Sequence, residues 1–523
     1  MPKIIFVTGG VLSSLGKGTF TSALAKLLKS CGISVSTMKI DPYLNCDAGT
    51  LNPYEHGEVF VTRDGYECDL DLGTYERFLD IFACKEQNLM MGDAYRSLVE
   101  KERKGEFLGQ TIQSIPHLTN EIKSRVRKAA EVTGCDLLIV EIGGTVGDIE
   151  SEIVLEAARE MSSENGAIFA HLALVPQILT GEQKTKPMQH SVRELLGRGI
   201  VPSFIVARCE SELNEGAKKK IALFCNVKEE DVYTFPSVST IYELPIILEK
   251  QGIHKSIGKK LGFNTEKSDL SELRQQVEKF KSLSQVRKIG IVGKYVSTID
   301  AYISIYNALL HAGLANGVKI DFKLIDAEHL PDLSQYDGFV VPGGFGTRGT
   351  EGKISAIKYA RENNIPLLGI CFGFQLSVIE YARNVLGLTD ANTTEINPQT
   401  TNPVIDLLPD QRSIAGLGAS MRLGAYPVKV KENTIAHKLY NSTSISKRHR
   451  HRYEVSPGFI EKLENAGLIF SGKSDDGQSE ERRMEILELP SSKFFMGSQF
   501  HPEFDSRLSR PEPLFYGLIK ATI

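Results

Sequence analysis

A cysteine between glycines, Gly369-Ile370-Cys371-Phe372-Gly373, follows the apolar run Ile365-Pro366-Leu367-Leu368. This is the form of a nucleophile elbow. The glycines permit a sharp strand-to-helix turn that lifts the sulfur clear of the sheet edge. Further on, His501-Pro502-Glu503 sets a base and a carboxylate two residues apart. In extended backbone, positions i and i+2 face the same side, so Glu503 can orient the His501 ring while the ring deprotonates the thiol. Each half alone has an ordinary reading, the cysteine as a small buried hydrophobe and the histidine as a surface residue. Together they make a Cys-His-Glu triad, which is defined by roles rather than chain order. Val340-Val341-Pro342-Gly343-Gly344-Phe345-Gly346 reads as a strand entering a glycine-rich turn, a means of aiming backbone N–H groups at a tetrahedral oxyanion.

A second set of chemistry-bearing residues opens the chain. Lys3–Thr8 has a buried-strand pattern, Gly9 to Thr19 is a glycine-rich loop containing Gly16-Lys17-Gly18-Thr19, and a helical stretch runs to Ser30. Strand, loop and helix form a phosphate cradle of backbone N–H groups and a helix N-terminus. The loop departs from the standard P-loop. Five residues rather than four separate Gly10 from Gly16-Lys17, and Gly18 stands where a metal-binding hydroxyl is expected, leaving Thr19 as an open substitute. Two acidic segments accompany it: Glu67-Cys68-Asp69-Leu70-Asp71, and the strand Asp136–Glu141 followed by Gly143-Gly144-Thr145. A carboxylate at a strand's C-terminal end beside such a loop is suited to a nucleotide-bound Mg²⁺. No Cys/His group has zinc-ligand spacing.

Residues 287–523 resemble a class I glutamine amidotransferase domain, which hydrolyses glutamine through a glutamyl thioester on the cysteine. The strings Met38–Asn45, His56–Val61, Asp69–Phe78, Glu141–Ser151 and Lys184–Ser191 resemble the CTP synthase family, and that resemblance runs nearly end to end. It implies ATP-dependent amination of UTP to CTP with ammonia from glutamine, the uracil O4 being phosphorylated and then displaced. For the catalytic set it implies Cys371, His501, Glu503, Lys17 and Lys39, with Asp71 and Glu141 holding Mg²⁺. ATP would contact Ser14, Leu15, Gly16, Lys17, Gly18, Thr19, Asp71 and Val238. UTP, or CTP as feedback inhibitor, would contact Ser13, Asp148, Ile149, Glu150, Lys184, Thr185, Lys186, Gln189 and Lys220. Glutamine would contact Gly344, Phe345, Phe372, Gln375, Glu395 and Arg452, where a guanidinium suits the α-carboxylate. Gly416–Gly424 resembles the family's glutaminase lid and implies activation by GTP; relatives also suggest a homotetramer. Two alternatives stand beside this reading: a cobyrinate- or cobyric-acid-type amidotransferase, and a ParA- or MinD-like ATP switch that would leave the second half of the chain unexplained.

The elements that must position these residues follow from the pattern. Both halves alternate strands with helical stretches, the signature of doubly wound α/β folds. The expected organisation is a synthetase domain over 1–255, a linker with one amphipathic helix over 256–286, and a glutaminase domain over 287–523. Leu270, Leu273, Val277 and Phe280 carry the helical spacing in the linker. Thr389–Gln411 reads as a long surface loop and Ser479–Arg483 as a solvated hairpin or loop. In Lys447–Glu454, strand alternation puts arginines on one face and histidines on the other, too short a patch for nucleic acid; a solvated face is the plain alternative.

Composition fits a globular chain of several domains: 523 residues, 41% hydrophobic and 24% charged. The net charge of −4 argues against non-specific nucleic-acid binding. Eight cysteines without framework spacing, no signal segment before the first strand and no apolar run of spanning length lead to the expectation of a cytoplasmic protein.

Overall fold

The computed structural model describes residues 2–12, 15–179, 181–407, 421–475 and 483–523. These pack as two compact units, one of residues 1–51 and 71–278 and the other of 52–70 and 279–523.

In the first unit, seven parallel strands lie in the order Asn88–Met90, Val35–Asp41, Leu137–Ile142, Lys3–Gly10, Ile168–Leu174, Phe204–Cys209, Val232–Pro236. The central strands are almost wholly buried, as Val/Ile/Leu-rich strands covered on both faces must be. The order is doubly wound, and the Gly-rich loop and Glu141 both sit at C-terminal strand ends, where such folds bind ligands. Lys17 opens the helix Lys17–Ser30, whose apolar side (Phe20, Leu24, Leu27, Leu28) is buried.

The second unit carries a nine-stranded mixed sheet. Its parallel half runs Lys319–Asp326, Val286–Gly293, Gly338–Val341, Leu367–Ile370, Phe495–Ser498. Antiparallel strands Met484–Glu488, Ile469–Ser474, Arg422–Val430 and Ser444–His451 extend it. The doubly wound expectation thus holds for the parallel core, with an antiparallel extension added.

Residues 52–70 pack with this second unit rather than with the stretch of chain around them. The short hairpin of Phe60–Val61 and Glu67–Cys68 is tied down by Phe60 against Phe504 and by Arg448, which donates to the Val61 carbonyl at 3.1 Å. Glu67 accepts from Arg450 at 2.7 Å.

Three sequence expectations need correction. The run 447–454 is no solvated face. Lys447, Arg448, His449 and His451 are all buried, because Asp505, Glu512 and Glu485 lie in the same interior to pair with them. Thr389–Gln411 is not a plain surface loop: Asn392–Thr393 and Pro403–Asp406 join Glu454–Val455 in a small sheet, burying Thr393, Val404 and Ile405. Residues 408–411 of that stretch lie outside the described residues. In the segment 479–483, only Arg483 is described, and it is buried rather than solvated. The linker helix forms over Ser271–Ser282, with Leu273 and Val277 buried and Phe280 only half-buried. Among the described residues, no helix is long and apolar enough to cross a membrane.

Candidate active sites

The second unit builds the thiol site from three strand ends. Strand Leu367–Ile370 stops at Cys371, whose φ of 53° and ψ of −103° turn the chain at once into the helix Phe372–Asn384. Such a φ is costly for a residue with a Cβ and marks a constrained, functional turn. Both flanking glycines are obligatory here. A Cβ on Gly373 would lie 1.9 Å from the Val341 carbonyl oxygen, and one on Gly369 would lie 2.7 Å from that of Gly373. The Cys371 amide donates to the Ser498 carbonyl at 2.7 Å, clamping the elbow to the neighbouring strand.

His501 follows that strand, and its Nδ1 lies 2.7 Å from Glu503 Oε1; the pair meets as expected, but in a 3-10 turn over Pro502–Asp505 that His501 caps rather than in extended backbone. The ring stacks on Phe504, with centroids 5.1 Å apart. Gly343 marks the meeting point of the two: a Cβ there would be 3.3 Å from His501 Cε1 and 3.9 Å from Cys371 Sγ. Burial opposes charge on the ring, but the Glu503 carboxylate and the Cys371 sulfur outweigh it and push the imidazole up to about 10. A proton on His501 beside the sulfur is the state a thiolate nucleophile needs.

Around it, Gly344 and Gly346 have φ of 149° and 83°. Glu395 accepts from the Gly346 amide at 2.9 Å; burial pushes its carboxyl up, opposed by that N–H, Lys294 and Arg452. Gln375 donates to the Tyr453 carbonyl at 2.8 Å and to Gln499 at 3.2 Å. Arg452 Nε is buried with no hydrogen-bond partner among the described residues, a donor suited to an incoming carboxylate. Phe345 and Phe372 flank the turn and the helix start. The glutamine-site residues expected from sequence are thus brought to one neighbourhood. Gln499, which donates weakly to Cys371 Sγ at 3.9 Å, and Lys353, beneath the turn, were not anticipated.

In the first unit, Lys17 points back over Gly9, where a Cβ would be 2.7 Å from its Cδ, and donates to the Gly144 carbonyl. Lys39 is the centre of the cluster. Its ammonium pairs with Asp71, with Glu141 at 3.0 Å and with Asp41 at 3.8 Å. Tyr75 donates to the other oxygen of Glu141. Burial pushes the Asp41 and Glu141 carboxyls up and Lys17 down, so each resists holding its charge without more partners.

Gly18 explains its departure from the standard loop. A Cβ there would lie 1.8 Å from Asp71 Oδ1. The space a Ser/Thr would fill is taken by a carboxylate delivered from the helix Leu70–Leu79. Thr19 is half-buried, and Val238 is half-buried in the loop after Val232–Pro236. Ser13 and Ser14 lie outside the described residues.

The donor set suits Mg²⁺. Among the described residues, no three His, Cys, Asp or Glu side chains are arranged to hold a metal by themselves. Mg²⁺ characteristically takes one or two carboxylates together with substrate phosphates and waters. Asp71 and Glu141 are a pair of that kind, both held on Lys39, and Asp41 Oδ2 is a further buried acceptor with no hydrogen-bond partner among the described residues.

The residues expected at the pyrimidine nucleotide fall in two groups. Lys184, Thr185, Lys186 and Gln189 gather at the N-terminus of the helix Lys186–Gly197, with Gln189 donating to Thr185 at 2.9 Å. Lys184 pairs with Glu182 at 2.7 Å, and this pairing, with a smaller contribution from the Lys220 charge, holds the Glu182 carboxyl below its ordinary value. Asp148, Ile149 and Glu150 form an exposed turn beyond the Leu137–Ile142 strand, where Asp148 caps the Thr145 amide at 2.8 Å. Of the segment 416–424, expected from the resemblance as a lid, residues 416–420 lie outside the described residues; Arg422 is buried against Glu485.

A nucleotide-type cluster in one unit and a thiol triad in the other define a glutamine-dependent, nucleotide-using ligase. Residues 3–263 match the CTP synthase N-terminus family model, and 297–521 match that of the class I glutamine amidotransferases. The CTP synthase of Thermococcus kodakarensis is 55% identical over all of this chain and 98% of its own length. That of Methanosarcina acetivorans is 50% identical over 99% of this chain and 98% of its own. A solved glutaminase domain of Trypanosoma brucei CTPS with bound acivicin is 38% identical, covering 45% of this chain and 93% of its own, with a TM-score of 0.42. The chain belongs to the CTP synthase family.

Proposed function

We propose that the chain converts UTP, ATP and glutamine into CTP, ADP, phosphate and glutamate, with the residues above in the following roles. The observation that carries the reading is the pairing, within one chain, of a thiol beside a carboxylate-held histidine and a cluster of two lysines with two carboxylates at a glycine-rich loop.

In the second unit, the Cys371 thiolate attacks the glutamine amide carbon, and the backbone N–H groups of Gly344 and Phe372 receive the oxyanion. Phe372 opens its helix, so its N–H has no intrahelical partner to give up. Protonated His501 hands its proton to the departing ammonia, leaving a glutamyl thioester, then deprotonates the water that hydrolyses it. Arg452 binds the α-carboxylate, with Phe345, Gln375 and Glu395 holding the rest of glutamine.

In the first unit, Leu15, Gly16, Lys17, Gly18, Thr19 and Val238, with Ser14, cradle ATP. Asp71 and Glu141 would hold Mg²⁺, which supplies charge neutralisation for the phosphates. Lys17 and Lys39 stabilise the phosphoryl group as it moves to the uracil O4. Ammonia displaces that phosphate from C4. The lysines Lys184, Lys186 and Lys220 suit a triphosphate as point charges, with Ser13, Thr185, Gln189 and the 148–150 turn completing the site. CTP shares the triphosphate and ribose with UTP and would compete for that site. GTP activation through the 416–424 segment, a homotetramer and a cytoplasmic location complete the proposal, each on the family resemblance.

The test is CTP formation followed by chromatography with each substrate omitted in turn. Product should require UTP and ATP, and either glutamine or ammonium. ATP hydrolysis that proceeded without UTP and an amine source would favour a nucleotide switch instead.

A further inference from the structure

Lys353 is a buried charge that the proposed reaction does not use. It lies on the helix Thr350–Glu362, directly after the oxyanion turn, and is 1% exposed. Its ammonium donates to the Pro342 carbonyl at 2.9 Å and reaches the Gly343 carbonyl at 3.4 Å. It also sits 5.6 Å from the centre of the Phe372 ring, and 3.8 Å from where a Cβ on Gly344 would be. Few lysines are buried so fully without a carboxylate partner.

The peptide geometry gives this placement a consequence. In a trans peptide the C=O and N–H point in opposite directions. Drawing the Gly343 carbonyl toward Lys353 therefore turns the Gly344 N–H away from the lysine. Gly343 also approaches Cys371 and His501, at 3.5 Å (Cβ) and 3.3 Å (Cε1) from its own Cβ position. Lysine and nucleophile meet at the same turn.

We infer that Lys353 is a positioning residue of the glutaminase reaction: it fixes the Pro342–Gly344 turn so that the Gly344 N–H meets the oxyanion, and it places a cation behind that oxyanion. The inference rests on the thiol-site reading given above. Burial and the nearby Lys294 push the lysine down to about 7, while Cys371 draws it up. An anion forming beside the turn acts in the same sense as Cys371 and favours the charged amine.

A turn that is merely braced and one that stabilises charge respond differently to Lys353→Met in the full-length chain. For the second, the glutamine kcat should fall about 10- to 100-fold, below the loss from deleting a direct oxyanion donor, while KM stays within about threefold. Glutamate γ-semialdehyde, which forms a tetrahedral adduct on the thiol, should lose inhibitory potency by the same factor as kcat/KM. Lys353→Gln, which keeps a donor but no charge, should fall between wild type and Met. Circular dichroism and the unfolding midpoint check that each variant is folded; if Met is not, the Gln variant carries the same comparison. An unchanged kcat, or equal weakening of glutamine KM and aldehyde binding, overturns the inference. If wild type itself fails to hydrolyse glutamine, the thiol-site reading falls instead, and the two failures are distinct.

Discussion

Gly18 and Asp71 compete for one small volume, which makes the synthetase loop unusually sensitive to a change that looks like a repair. Gly18→Ser restores the standard P-loop hydroxyl, yet its Cβ would overlap Asp71 Oδ1 at 1.8 Å and Cγ at 2.4 Å. The carboxylate must swing off Lys39. Synthesis from glutamine and from ammonium should both fall by about a hundredfold or more, the scale of losing a preorganised charge in phosphoryl transfer, as assayed by CTP formation. Cys371 offers a second test at this scale. A glutamine-shaped electrophile should label it ahead of the other seven cysteines, as read by peptide mapping. Burial pushes Cys209 up to about 11 and Cys225 up to about 12, and it raises Cys31 and Cys135 as well, so those thiols are poorer competitors. His501→Ala should slow the labelling by about tenfold or more at neutral pH, since it removes the cation beside the sulfur. Preferential labelling elsewhere would remove Cys371 from the role. The elbow was legible in the sequence because glycine spacing encodes local geometry; the His501–Glu503 pair was legible from proximity alone, since a 3-10 turn rather than an extended strand brings the two together. Lys353 and Tyr75 were not, because what distinguishes them is burial against partners that no local motif announces, backbone carbonyls for the lysine and Glu141 for the tyrosine.

The strands and helices add constraints that no single motif carries. The strand Lys3–Gly10, the strand Ile168–Leu174 and the helix Lys186–Gly197 are joined by one buried relay, with Thr8 Oγ1 2.9 Å from His171 Nδ1 and His171 Nε2 2.8 Å from Ser191 Oγ. Gly10 must lack a side chain for this, because a Cβ would sit 1.5 Å from Ser191 Oγ. Burial, with Lys17 adding to it, pushes His171 down to about 3. The sign follows from linkage: below about pH 6.5 the unfolded chain binds a proton that the folded one refuses. The relay's contribution is therefore complete above pH 6.5 and is lost progressively as pH falls toward 3. By pH 4.5 the loss should reach about 1–3 kcal/mol. Hydrogen-exchange protection of these two strands should drop with acid in the wild type and be flatter in His171→Gln; parallel slopes would remove His171 as the cause. The strand Ser444–His451 shows why sequence misjudged other elements. Its alternation of charged residues matches a half-solvated strand, and nothing local says that Asp505, Glu512 and Glu485 wait inside. Likewise the Asn/Thr-rich stretch after 389 looked like a loop because strand pairing with Glu454–Val455 is a long-range property.

At the scale of the whole chain, two chemistries divide between two compact units, and the division itself is open to experiment. The parallel cores were legible because strand–helix alternation and the two glycine-rich turns are local signals. The allegiance of 52–70 was not, since the hairpin's hold on Phe504 and Arg448 spans hundreds of residues. On the proposed scheme Cys371→Ala removes the atom that forms the thioester, so glutamine-dependent CTP formation should fall by roughly a thousandfold or more. On the proposed roles, ammonium-dependent formation uses Lys17, Lys39, Asp71 and Glu141 but no thiol, and it should persist in that variant at alkaline pH, where free ammonia is available. Asp71→Asn should act in the opposite way. It leaves the Cys371–His501–Glu503 geometry of the second unit untouched, but it removes a charge that balances Lys39 and would hold the metal, so both nitrogen sources should fail together. The two variants thus predict a crossed pattern, one nitrogen source lost against both. Measured side by side by chromatography, a Cys371→Ala enzyme that is folded yet inactive with ammonium would break the two-site scheme, because the thiol would then be taking part in the amination itself.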